Sequence, residues 1–266
     1  MMQSISPFKV SQACRNKFCE NIIDTSAPTI DFYLLVVLST LIVALGILAD
    51  NVILVIGGML VTPLLSPIMA IALGIVINEH QVILRSLRIF FSSTIAAVVV
   101  AAIIGFLTST NLETISLIKI MQPSLLTILV AIVAGLAASY TWVKPELNVN
   151  FAGIAITVTV IPPLTAVGLA LANGEWEILR NTLNVFFLNI GGIILASLVV
   201  FSLMDFYKSR NKIISAVEEE KKEIEKKKKE VKKEKLDIEK EKVEEEKKKI
   251  KAEKEKIEKE KEKINI

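Results

Sequence analysis

Six long stretches of this sequence carry no charged residue, and that constrains the fold more than anything else in it. They run from Phe32 to Ala49, Val52 to Ile77, Ile89 to about Leu107, about Leu125 to Val143, Phe151 to Ala172 and Val185 to Met204. Each approaches the roughly 20 apolar residues a helix needs to cross a bilayer core, where no water can satisfy stray backbone groups. A soluble core helix of this length would show a polar face, and these do not. The expectation is an all-α polytopic membrane protein of about six spans.

Charge is segregated to match. Of 31 Lys and Arg residues only eight precede Lys208, and of 28 Asp and Glu only ten do, so the net charge of +3 averages two unlike parts. It therefore gives no reason to expect a nucleic-acid partner. The organisation expected is a cytoplasmic tail over 1–30, a transmembrane domain over 31–207 and a charged cytoplasmic helix or coiled coil over 208–266. Basic residues in the short loops favour one side by nine to two, which places both termini in the cytoplasm of a cell-membrane protein. Cys14 and Cys19 are read as ordinary reduced thiols facing the cytosol. No secretory signal is expected in the first thirty residues.

Shifting the chain on itself by 95 positions aligns Gly58 with Gly153, Thr62 with Thr157, Pro67 with Pro162, Asn78 with Asn173, Arg85 with Arg180 and Phe91 with Phe186. Apolar residues align by chance in any membrane protein; Gly, Thr, Pro, Asn and Arg are harder to dismiss. Three spans per half (about 31–109 and 125–204) require the second copy to run upside down, an inverted repeat of the kind many transporters use. Prolines fall mid-helix in corresponding spans, at Pro63 and Pro67 and at Pro162 and Pro163. Each removes an amide donor, so the second and fifth helices are expected to be broken. Backbone groups freed at that depth must be covered by protein or face a hydrated cavity. The candidate ion or substrate pathway is therefore Thr62, Pro63, Ser66, Pro67, Thr157, Thr159, Pro162, Pro163 and Thr165. Structural kinks satisfied by nearby hydroxyls are the competing reading.

The segment Gly57-Gly58-Met59-Leu60-Val61-Thr62-Pro63-Leu64-Leu65-Ser66-Pro67-Ile68-Met69-Ala70, with Ile161-Pro162-Pro163-Leu164, resembles the hydrophobic membrane proteins of the domain of unknown function 389. The likeness covers about residues 30–205. It implies a membrane protein, supplies no activity and carries over no binding or catalytic residue. The soluble N-terminal domain of some members is expected here only as a short tail.

From Ile213 onward Lys and Glu dominate, without Pro or Gly. Val217, Ile224, Val231 and Ile238 follow one seven-residue series; Leu236, Val243, Ile250, Ile257 and Ile264 follow another, two residues out of phase. One apolar position per heptad suits a weak parallel coiled coil or a solitary charged helix. The expected partners are the lipid bilayer and further copies of the chain, through the membrane domain and this helix.

No phosphate loop, metal-ligand cluster or nucleophile–His pair occurs, so no enzyme, cofactor or metal is expected. Asp50 and Asp205 read as interfacial helix-end charges. Two functions remain. One is a transporter or channel for a small ion or polar solute, with its site at the helix breaks. The other is a non-transporting scaffold or signalling protein that presents the cytoplasmic rod.

Overall fold

A computed structural model describes Phe18, Ile22 and residues 28–108, 111–143 and 149–206, with the backbone alone over 149–159. The charged segment, its expected coiled coil and most of the 1–30 tail lie outside the described residues. Among the described residues the secondary structure is helical, with no strand.

Helix α1 spans Ile30–Leu48, and the Thr29 hydroxyl starts it by accepting the Phe32 amide at 3.1 Å. Helix α2 spans Val52–Val61, begun by Asn51 Oδ1, which accepts the amides of Ile53 and Leu54. Helix α3 spans Leu65–Val76 and α4 His80–Thr108. A 3-10 turn at Leu112–Thr114 and the short α5 (Ser116–Lys119) lead to α6, Leu125–Val143. Helices α7 (Val149–Asn173) and α8 (Trp176–Leu203) complete the described order.

Four of these, α1, α4, α6 and α8, are long and apolar enough to cross a membrane; the bent pair α2 and α3 makes a fifth if taken as one span. Two boundaries differ from expectation. Helix α4 begins at His80 rather than Ile89, and α8 at Trp176 rather than Val185. Both run past the apolar stretch into turns carrying Arg85, Arg88, Glu177 and Arg180, since helical hydrogen bonding does not stop where the apolar residues do.

The proline expectation divides. The second apolar stretch is broken: α2 and α3 meet at 55° across Thr62–Leu64, where Thr62 is extended (ψ 133°). The fifth is not, for α7 runs unbroken through Pro162 and Pro163. Proline fixes φ near a helical value, and its cost lies in a lost donor and a ring clash one turn back. Residues 160–170 of α7 are buried throughout, so close packing supports that axis.

Small residues set the packing. A Cβ on Gly135 of α6 would lie 2.8 Å from Ala196 Cβ and 2.9 Å from Ile193 Cα of α8; one on Gly168 of α7 would lie 2.5 Å from Ala101 Cβ of α4. Backbones this close gain dispersion contacts that lipid cannot supply. Helix α3, the inner half of the broken span, is buried from Leu65 to Gly74 and packs on α4, α7 and α8. Large apolar side chains point outward elsewhere, among them Ile53 (80% exposed), Ile95, Phe106 (76%) and Leu195.

The buried faces recur. Val36, Ser39, Thr40, Val43 and Ala44 of α1 and, 95 positions on, Ala131, Ala134, Gly135, Ala138 and Ser139 of α6 are all buried. For α4 and α8 the offset becomes 96: Ser86, Ile89, Phe90, Ser93, Ala97 and Ala101 correspond to Thr182, Val185, Phe186, Asn189, Ile193 and Ser197, again all buried. The extra residue enters at the end of α7. Asn78 (φ 52°) and Gly174 (φ 72°) turn the chain after α3 and α7, and the next amides, of Glu79 and Glu175, return to Gly74 and Ala170. At the offset of 96 Phe186 falls on Phe90, on which it stacks at 6.2 Å and 9°, and Asn181 falls on Arg85; at the expected offset of 95, Phe186 would fall on Phe91 and Arg180 on Arg85.

Candidate solute pathway

The break between α2 and α3 gathers several of the expected pathway residues. Pro63 ends α2 because it has no amide to offer and restricts the residue before it to extended geometry. Thr62 is buried (8% exposed), and its Oγ1 has no hydrogen-bond partner among the described residues. Ser66 and Pro67 lie buried in the first turn of α3, whose N-cap residue Leu64 gives no side-chain hydrogen bond. The Ser66 amide reaches back to the Pro63 carbonyl at 3.4 Å.

On the facing helix, Pro162 and Pro163 are buried inside α7, and Thr165 is fully buried with Oγ1 likewise unpartnered among the described residues. Both α2 and α3 pack against α7, so the break and the proline pair lie on touching helices. The side chains of Thr157 and Thr159 lie outside the described residues. An unpaired buried hydroxyl costs about 1–3 kcal/mol, which a water or a polar solute can relieve. No ionisable side chain lies within Val52–Ile77 or Val160–Asn173, so the chemistry here is that of hydroxyls and main-chain dipoles.

A polar cluster that the sequence analysis did not single out joins three helices nearby. Ser139 of α6 donates to Ser197 of α8 at 2.8 Å, and Met69 Sδ of α3 lies 3.7 Å and 3.4 Å from the two hydroxyls. All three residues are buried. Each serine also lies within hydrogen-bonding distance of the carbonyl four residues earlier, Gly135 (2.6 Å) and Ile193 (2.8 Å), and the Ser139 proton is shared between Ser197 and Gly135, so neither hydroxyl is left unsatisfied. Ser139 one turn from Gly135 is the part of the cluster that the sequence could have pointed to.

At one end of the bundle two carboxylates hold the segment between α4 and α6. Asp50 accepts the amides of Ser116 (3.2 Å) and Leu117 (3.0 Å), and Glu175 Oε1 accepts that of Leu112 (3.0 Å). Asp50 was legible only as a helix-end charge and Glu175 was not singled out, because their partners lie more than sixty residues away. Beside them opens a cleft of about 420 Å³ between this segment and the first turns of α8, lined by Glu113, Lys119, Gln122, Glu177, Asn181 and Thr182 among others. Thr182 is only 1% exposed although it lines the cleft. Among the described residues no cluster of three or more His, Cys, Asp or Glu side chains is placed to hold a metal.

The family described as "Domain of unknown function (DUF389)" matches residues 59–195, from the last turn of α2 into the second half of α8. The chain belongs to this family. The match takes in the bend, the prolines of α7 and the Phe90–Phe186 stack. The chain is also 28% identical over 169 residues to "Uncharacterized protein MJ0678" of Methanocaldococcus jannaschii, a match covering 64% of this chain and 52% of that protein. The chain thus spans about half the length of that relative. No solved structure matches.

Proposed function

We propose that this protein is an integral membrane transporter or channel for a small ion or polar solute, with six spans arranged as two inverted three-helix repeats. The observation that carries the reading is the buried break at Thr62–Leu64, where a span loses regular hydrogen bonding beside the unpartnered hydroxyls of Thr62 and Thr165. A membrane helix interrupted in the interior, next to polar groups and away from lipid, is the usual construction of a transporter's central site. The continuous fifth helix makes that site asymmetric: one half contributes a helix break, the other a proline pair and Thr165.

The repeat is supported by the burial pattern, which recurs at offsets of 95 and 96. The bonds from Asp50 to Leu117 and from Glu175 to Leu112 gather the end of α1, the segment after α4 and the turn after α7 at one end of the bundle. That arrangement fits six crossings, with the second half opposed to the first. The basic residues of the opposite loops favour cytoplasmic termini. The lack of acids and bases inside the spans argues against a carboxylate proton relay. Assembly through the membrane domain or the charged helix, and a role as a scaffold instead of a transporter, are open to the same test. Purified protein in liposomes is assayed for flux of small cations, anions and neutral solutes, with Thr62→Val and Thr165→Val as variants. Flux that falls in both variants supports the site. Absence of flux for every class in folded protein sinks it and leaves the scaffold.

A further inference from the structure

The cleft at the Asp50 end has an unopened counterpart, and the repeat names its residues. At the offset of 96, the α8 residues lining the cleft, Glu177, Ile178, Asn181 and Thr182, correspond to Gln81, Val82, Arg85 and Ser86 at the start of α4. These lie at the opposite end of the bundle, because α4 and α8 run in opposite senses between the two ends. Val82 is 2% exposed and Ser86 0%, whereas Ile178 is half-buried and open to the cleft. Thr182 satisfies its hydroxyl by donating to the Ile178 carbonyl at 2.8 Å; Ser86 Oγ has no hydrogen-bond partner among the described residues. An aromatic cluster joins the ends of α6 and α8. Phe18 packs edge-on against Phe201 and Phe206, at 5.3 Å and 5.0 Å, and against Trp142. At the offset of 95, Phe18 answers Glu113, which lines the open cleft.

We infer that Val82, Arg85 and Ser86 line a second vestibule, which admits the same small polar solute from the other side of the membrane when the Asp50-end cleft closes. The inference rests on the transport reading and adds to it the residues of the second mouth. A fold of two equivalent halves can exchange their conformations, so the surroundings of Thr182 become those of Ser86 and the reverse.

The test uses the full chain with Cys14 and Cys19 replaced by serine. Single cysteines are placed as Thr182→Cys and Ser86→Cys, with Val82→Cys as a second position on the same turn. A membrane-impermeant thiol reagent is applied to intact cells and to inverted vesicles. The expected result is that Thr182→Cys reacts from one face and Ser86→Cys or Val82→Cys from the other. Pinning the cleft with a cross-link between cysteines at 119 and 177 should raise the Ser86→Cys rate severalfold, and so should Phe18→Ala. Reaction of both positions from the same face overturns the inference, as does silence at both 82 and 86 with the cleft pinned. Flux in the same vesicles separates the two readings. Flux with silent 82 and 86 defeats the second vestibule alone; opposite-face labelling without flux supports the vestibule and defeats transport.

Discussion

Asp50 accepts the Leu117 amide across 67 residues of chain, and that bond fastens the segment between the halves to the end of the first hairpin. The Leu117 amide is the largest influence holding the Asp50 carboxyl below its ordinary value of 3.8, followed by Ser116, with Lys119 adding to both. A carboxyl lowered by folding stabilises the fold fully above its unfolded value and loses that contribution as pH falls through the lowered one. Asp50→Ala should therefore speed amide exchange at Ser116 and Leu117 at neutral pH. The difference from the unaltered protein should shrink as pH drops below 3.8, read by hydrogen–deuterium exchange corrected for intrinsic rates.

Phe90 of α4 and Phe186 of α8 stack at 6.2 Å and 9°. Phe90→Ala or Phe186→Ala should each cost about 3–5 kcal/mol in detergent unfolding, as large aromatic truncations in packed interiors do. A double-mutant cycle should return a coupling of about 0.5–1.5 kcal/mol for the ring pair.

Glycine substitutions should divide by position. Gly168→Ala places a Cβ 2.5 Å from Ala101 Cβ and 2.6 Å from the Val98 carbonyl, so backbone must move. The expected loss is about 1–3 kcal/mol. Gly57 and Gly191 meet nothing within 4 Å. Alanine there should be neutral or stabilise by up to about 1 kcal/mol through helix propensity. Thermal midpoints of the three variants check the division.

The two proline sites should respond in opposite ways. Pro163→Ala returns an amide to a helix that is already continuous, so thermal stability should rise. Pro63→Ala favours a straight second span, so flux should fall. A Pro63→Ala protein that transports normally would detach function from the bend.

The apolar helices α1, α4, α6 and α8 were legible because uncharged runs of about twenty residues have few alternatives in lipid. Gly, Thr and Pro recur at a spacing of 95, the offset at which the buried faces of α1 and α6 recur. The offset of 96 for α4 and α8 was not legible, since Asn78 aligns with Asn173 by type whereas the residue that shares its left-handed turn is Gly174. Continuity of α7 could not be read locally, because proline's effect depends on the helices packed around it. The Ser139–Ser197 bond and the Asp50 and Glu175 tethers join residues 58 or more positions apart, and nothing in the local sequence announces such partners.

The Ser139–Ser197 bond has no copy in the other half, where Ala44 and Ala101 occupy the corresponding places. On the proposed transport reading, halves of identical sequence related by a two-fold rotation would have two access states of equal energy. A hydrogen bond inside a membrane bundle contributes about 0.6 kcal/mol, enough for roughly a threefold preference between two states that differ only by it. On that reading, the serine pair gives the molecule a resting side.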